Sequence, residues 1–236
     1  MFSQSADLYD LIYSSFKHYS QEAGQLAALL RQAHPACRTL LDVACGTGEH
    51  ARFLATRHGF AVDGIDLDPA FVRIAEAKHP GGRFLEADMV AFHLGRRYDA
   101  VLCLFSSIGY VRTLPNLHRA LTCFREHLAR DGVVIVEPWF TPEVAEHGRT
   151  ETRTVEAGGL HVVRASRSEI AGRVSRIHFD YEIHSAAGVR HFSEVHELGL
   201  FTTDEMLRSF EASGLAADYD PRGPSGRGLF VARPLA

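Results

Sequence analysis

Thr39-Leu40-Leu41-Asp42-Val43-Ala44-Cys45-Gly46-Thr47-Gly48-Glu49-His50 is the stretch whose reading decides the fold. Leu40, Leu41 and Val43 suit a buried strand. Gly46 and Gly48 let the backbone turn sharply, and let a ligand approach with no Cβ in the way. Glu49 opens the next segment with an acid, as the first turn of a helix prefers. Strand, glycine turn and helix in that order put a ligand at the carboxyl end of a parallel sheet.

Reading outward, Phe60–Asp66 is a second strand with Asp66 at its carboxyl end. Pro69 marks a helix start, and that helix runs to Lys78. Arg83–Met89 is a third strand ending at Asp88-Met89, and Tyr98–Phe105 a fourth, apolar enough to be central. Leu117, Ala120, Leu121, Phe124 and Leu128 keep helical spacing within Leu114–Ala129. Asp131-Gly132 then turns the chain into a fifth strand, Val133–Glu137. Strands alternating with helices imply right-handed crossovers and a parallel sheet. Upstream, residues 5–30 carry two apolar helical stripes broken at Ser14-Ser15. This is either a flexible lid or an amphipathic cover on the sheet.

After Pro138-Trp139-Phe140 the pattern changes to period two. Arg149–Glu156, His161–Ile170, Arg173–His184 and Val189–Leu200 are candidate strands separated by Gly- and Ala-rich turns. They predict an antiparallel meander. Thr202/Thr203 with Glu205 opens a helix by a capping box, and Gly214 ends it. Leu215–Tyr219 and Leu229–Pro234 form a closing hairpin. The division expected is a core of residues 1–140 and 200–236, with an insert at 141–199 for substrate binding, dimerisation or both.

The chain has 236 residues, 46% apolar and 23% charged, enough for one domain with an insertion. A net charge of −4 gives no reason to expect a nucleic-acid partner. No apolar run reaches the ~18 residues of a membrane span. The N-terminus lacks a signal-peptide layout, so a cytosolic protein is expected. The four cysteines are scattered, without CxxC spacing, and read as reduced apolar residues. Among 14 histidines none has HExxH spacing. His178, His184, His191 and His196 could meet across strands, but half-exposed strand positions explain them, and no metal is expected.

Gly46-x-Gly48-x-x-Ala51 satisfies a loose dinucleotide fingerprint, and Asp66 stands where a ribose hydroxyl acceptor belongs. Three features turn the reading away from a nicotinamide cofactor. Asp42, just before the glycines, suits an ammonium group and would repel a pyrophosphate. Asp88 beside the Met89 thioether suits an adenine. The chain closes as helix, strand, glycine loop and strand rather than as further βαβ units.

Leu41–Gly48 resembles motif I of class I S-adenosylmethionine (SAM) methyltransferases, and Asp66, Asp88-Met89 and Tyr98–Phe105 resemble that family's later motifs. The resemblance implies an α/β, Rossmann-like class I methyltransferase fold: a mostly parallel seven-stranded sheet with helices on both faces, here with an inserted antiparallel β-sheet. It implies SAM as cofactor, with Gly46 and Gly48 under the methionine part and Asp42 and Ala44 near it. Asp66 would hold the ribose and Asp88 the adenine. Leu67, Met89, Phe105 and Tyr19 complete the expected cofactor set. Leu8–Leu11, Phe105–Tyr110, Val136–Trp139, Gly188–Ser193 and Gly223–Phe230 further resemble the TDP-amino-sugar N,N-dimethyltransferases of macrolide pathways, which make desosamine and mycaminose. Ser14–His18 departs from that family by being one residue shorter.

The implied reaction is in-line methyl transfer to the amine of a TDP-amino sugar. Tyr110 and Glu137, with Tyr13, are the expected groups at the amine. Trp139 would offer a sugar face. Ser225 and Arg227, among glycines, would clamp the diphosphate, since a guanidinium fork fits phosphate. Another small-molecule amine or hydroxyl acceptor is the alternative, and a homodimer is left open. A nucleic-acid base methyltransferase is disfavoured, because Phe105-Ser106-Ser107-Ile108 replaces the Asn/Asp-Pro-Pro-aromatic run expected there.

Overall fold

The computed structural model describes residues 5–223 and 226–235. Five parallel strands form the core: β1 (Thr39–Val43), β2 (Ala61–Asp66), β3 (Phe84–Glu86), β4 (Tyr98–Cys103) and β5 (Leu128–Val136). The hairpin β10 (Leu215–Asp220) and β11 (Leu229–Pro234) closes the sheet in the order β10-β11-β5-β4-β1-β2-β3, with β11 antiparallel to β5. A second sheet, β6 (Thr150–Ala157), β7 (Leu160–Ala171), β8 (Val174–Ser185) and β9 (Gly188–Gly199), is a sequential antiparallel meander.

Alternation along the core strands sorts side chains onto two faces. Leu41, Val43, Val101 and Val134 pack on α5 (Leu114–Glu126) and α6 (Thr203–Ala212). Leu40, Val62, Leu102 and Ile135 pack on α2 (Tyr19–Ala33), α3 (Glu49–His58) and α4 (Pro69–Lys78). A third cluster joins Leu8 and Ile12 of α1 (Ala6–Tyr13) to Val162, Phe179, Tyr181 and Ile183 of the insert. The N-terminal segment therefore packs as a bridge between core and insert. Local signals place the helix starts. Asp68 caps α4 through Ala70 N–H (2.9 Å) with Pro69 next, and Thr202 and Glu205 form the capping box of α6.

Several boundaries differ from the sequence reading. The helix expected to reach Ala129 stops at Glu126, and β5 begins at Leu128. His127 is the cause: its Nε2 accepts Leu94 N–H (2.9 Å) and its Nδ1 lies 2.8 Å from Cys123 O. Asp131-Gly132 is a bulge inside β5, between the pairs Tyr98–Leu128 and Ala100–Val133. The third strand is short, and Asp88 folds into a turn by accepting Val90 N–H (3.1 Å). The four strand histidines do not converge. His196 is buried, while His178 faces Glu169 (3.3 Å), His184 faces Glu182 (2.5 Å) and His191 lies 3.8 Å from Glu182. Among the described residues no group of three metal-ligating side chains gathers, and no helix is long and apolar enough to cross a membrane.

Candidate active site

A cavity of about 740 Å³ opens at the carboxyl ends of the five parallel strands. Each strand delivers part of its wall: Ala44 and Gly46 after β1, Asp66–Asp68 after β2, Ala87–Val90 after β3, Phe105 and Tyr110 after β4, Trp139 and Phe140 after β5. Tyr9, Tyr13 and Phe16 come from the N-terminal segment, and all four insert strands complete the enclosure.

The turn after β1 is left-handed at three alternate residues, Ala44 (φ 56°), Gly46 (φ 56°) and Gly48 (φ 74°). Asp66 pins it: Oδ2 accepts Gly46 N–H at 2.8 Å and Oδ1 accepts Asp68 N–H at 2.9 Å. Burial raises the Asp66 pKa, and those backbone donors counter the shift. Asp42 is buried on β1 and does not line the cavity; its Oδ2 has no hydrogen-bond partner among the described residues. Burial, then the Asp66 charge, pushes its pKa up to about 7. A buried carboxylate with an unused oxygen beside a second carboxylate calls for a cation. The α-ammonium of the expected SAM would supply one, and the open space above Gly46 would take its methionine part. Leu67 and Met89 line the cavity near Asp88, apolar surfaces suited to an adenine.

The two glycines do different work. A Cβ on Gly46 meets nothing within 4 Å, whereas one on Gly48 meets Ala75 Cβ at 2.9 Å and Ala75 Cα at 3.1 Å. Gly48→Ala therefore combines a left-handed alanine with overpacking between α3 and α4, a cost of about 3 kcal/mol. Gly46→Ala costs the fold only about 1 kcal/mol and weakens SAM binding. Denaturant melts and SAM titrations of both variants check this. Equal stability losses would contradict it.

After β4 the backbone is strained at Phe105 (φ 51°) and Ser106 (φ 62°). Glu137, expected at the amine, does not line the cavity. Its Oε2 accepts Phe105 N–H at 2.7 Å, and its Oε1 lies 3.9 Å from Arg227 Nη1. Arg227 Nη1 donates to Ser106 Oγ (2.8 Å), which donates to Pro138 O (2.6 Å). The guanidinium sits 5.4 Å from the Phe105 ring and 5.4 Å from Trp139, and lines the cavity. Ser225 lies outside the described residues.

Helix α1 is clasped at its start and at its middle. Ser5 N–H and Oγ–H donate to Glu194 of the insert at 3.2 and 2.8 Å. Asp10 accepts Thr47 Oγ1–H of the glycine turn (2.6 Å) and pairs with Lys78. Three residues past Asp10, Tyr13 stacks on Tyr9 (4.2 Å) and meets the Phe105 edge (5.5 Å). Tyr19, expected at the cofactor, is buried against His50 and outside the cavity lining.

Sequence reading missed the insert's arginines. Arg149, Arg153 and Arg164 all line the cavity. Arg164 is buried, and its Nε and Nη1, like Arg153 Nε, have no hydrogen-bond partner among the described residues. It named His196 only among the strand histidines and did not foresee its pairing with Tyr110, whose Oη lies 2.8 Å from His196 Nδ1. Period-two alternation was the only signal for these residues, and it does not tell which sheet face covers the site.

Comparison with known proteins matches residues 40–132 to the methyltransferase domain family. A Streptomyces fradiae enzyme named dTDP-3-amino-3,6-dideoxy-alpha-D-glucopyranose N,N-dimethyltransferase is 44% identical over 98% of this chain and 91% of its own. The chain belongs to the sugar N,N-dimethyltransferase family. The crystal structure of Streptomyces venezuelae DesVI superposes on this methyltransferase with a TM-score of 0.92 at 40% identity, covering 97% of this chain and 98% of DesVI. SAM-bound CalS10, an amino pentose methyltransferase from Micromonospora echinaspora, gives 0.86 at 39% identity over 95% of each chain. The class I fold expected for this methyltransferase, the seven-stranded sheet with an added antiparallel sheet, is thus present throughout.

Proposed function

We propose that this enzyme transfers methyl groups from SAM to the amino group of a TDP-linked deoxy-amino sugar, in antibiotic biosynthesis. One observation carries the reading: a single cavity joins the glycine-turn seat to a wall that carries Arg149, Arg153, Arg164 and Arg227. The names of the relatives support the same acceptor class. SAM, when bound, supplies a sulfonium-activated methyl for in-line displacement by an amine.

The protein's part is mainly placement, worth roughly 7–11 kcal/mol at best. Asp42, Ala44, Gly46, Gly48, Asp66, Leu67, Asp88, Met89 and Phe105 are proposed to hold the donor, with Tyr19 behind them. Trp139 lines the cavity and is proposed to offer its ring face to the sugar. Arg227 and the insert arginines are proposed to take the diphosphate. Tyr110 and Tyr13 face the amine, and Glu137 positions the Phe105–Ser106 turn beside it. Burial raises both phenols above their usual pKa, Tyr110 well above it. They stay protonated, so they orient the amine by hydrogen bonding and do not deprotonate it as phenolates.

Mass spectrometry of products from a panel of TDP-3-amino and TDP-4-amino sugars tests the reading. Methylated amino sugar supports it, and turnover only on acceptors without a diphosphate overturns it. Arg227→Ala should raise the acceptor KM about tenfold and leave SAM affinity alone. Weakened SAM binding in that variant would remove Arg227 from the acceptor site.

A further inference from the structure

The hydroxyl of Tyr110 has a buried imidazole as partner, and this bears on how the acceptor nitrogen is held. Tyr110 Oη lies 2.8 Å from His196 Nδ1. His196 is buried on β9, and its Nε2 faces Glu194 Oε2 at 3.8 Å. Glu194 is anchored in turn by Ser5, through N–H at 3.2 Å and Oγ–H at 2.8 Å. The Phe179 ring packs edge-on to the imidazole at 5.2 Å, and the Arg164 cation lies near it.

These neighbours decide the tautomer. Burial lowers the His196 pKa and so favours the neutral ring, against the pull of Glu194. In a neutral imidazole the single proton goes to the nitrogen that faces a carboxylate. That is Nε2. Nδ1 is then bare and accepts the Tyr110 proton. With its proton turned inward, the phenol oxygen offers the cavity lone pairs only.

We propose that His196, with Glu194 behind it, holds the Tyr110 hydroxyl as an acceptor-only group, so that each methyl transfer requires one N–H on the acceptor nitrogen. The inference rests on the amine-methylation reading above. A neutral primary amine gives Tyr110 one N–H, and its lone pair is then aimed at the methyl. The lone pair forms the N–C bond as the C–S bond breaks and its electron pair returns to sulfur. The resulting secondary ammonium releases one proton to solvent and keeps one N–H for the same oxygen. A second transfer repeats the geometry. The tertiary amine then formed cannot satisfy both demands. Its neutral form has no N–H for Tyr110, and its protonated form has no lone pair. Transfer stops at two methyls.

Four variants test this with a TDP-3-amino-6-deoxyhexose as acceptor. Glu194→Gln keeps the shape but donates to Nε2, moving the imidazole proton to Nδ1 and turning the Tyr110 proton outward. Its kcat should fall about 100-fold with SAM affinity unchanged. Nitrogen NMR of His196, taken by difference from His196→Gln, should show the proton on Nε2 in the native enzyme and on Nδ1 in Glu194→Gln. His196→Gln can accept from Tyr110 and donate to Glu194, and should retain kcat within about threefold, whereas His196→Leu should not. In a Tyr110→Phe background, His196→Leu should have no further effect, because both act through one hydrogen bond. Multiplying losses, a native proton on Nδ1, or full activity in Glu194→Gln each overturn the proposal. A native enzyme that methylates no amine overturns the amine reading and this inference with it.

Discussion

Asp42→Asn will stabilise the free protein at pH 8 and cost it most of its affinity for SAM. The carboxyl is buried with one oxygen unpaired among the described residues, and its pKa is pushed up to about 7. In the unfolded chain it titrates near the ordinary value of about 3.9. Between these values the folded protein keeps a proton that the unfolded chain has released. Stability therefore falls as pH rises from about 4 to 7, and the penalty is complete above 7. Asparagine carries no such charge. It should raise stability by up to about 4 kcal/mol at pH 8, or roughly 8–16 °C in Tm for a chain of this size, with no gain near pH 4. Binding goes the other way. Loss of the charged partner proposed for the SAM ammonium should weaken affinity by about 10- to 100-fold. Native affinity should rise with pH up to about 7 and then level off, while the variant's stays flat. Calorimetry at pH 5, 7 and 8 reads both effects. Equal affinity for the two proteins, with no pH slope in the native one, would refute the assignment.

Glu137→Ala should be the most destabilising single change around the cavity. Glu137 is buried, accepts Phe105 N–H at 2.7 Å and faces Arg227 at 3.9 Å. Alanine leaves a left-handed turn without its anchor and a largely buried guanidinium without its counter-charge. Removing one member of a buried charged pair costs about 3–5 kcal/mol, so Tm should fall by about 8–15 °C. Glu137→Gln keeps an acceptor for Phe105 and should lose only about 1–2 kcal/mol. Similar Tm values for alanine and the native protein would deny Glu137 this anchoring role.

The parallel core was legible because its signals are local. Apolar strands, glycine turns, Pro69 after Asp68 and the Thr202–Glu205 box each act within a few residues. The placement of Asp66 and Asp88 at the cavity was legible for the same reason, since each stands at or just past the end of its strand, whereas Asp42 lies inside β1 and outside the cavity lining. The end of α5 was not, because His127 stops it by binding Leu94, 33 residues away. The aim of Glu137 was hidden too, since its partners at Phe105 and Arg227 come from other strands. The inward face of the insert was set by packing on α1, through contacts such as Ser5 to Glu194. Spacing within one strand carries no record of such contacts.

Helix α1 has one clasp on the glycine turn, at Thr47, and one on the insert, at Glu194. Its tyrosines, Tyr9 and Tyr13, line the cavity. A reactant seated against them would order this same helix, and one that arrives second would meet a segment whose entropy has already been spent. Such a helix would couple the two ligands, each raising the affinity of the other by the same factor, as linkage requires.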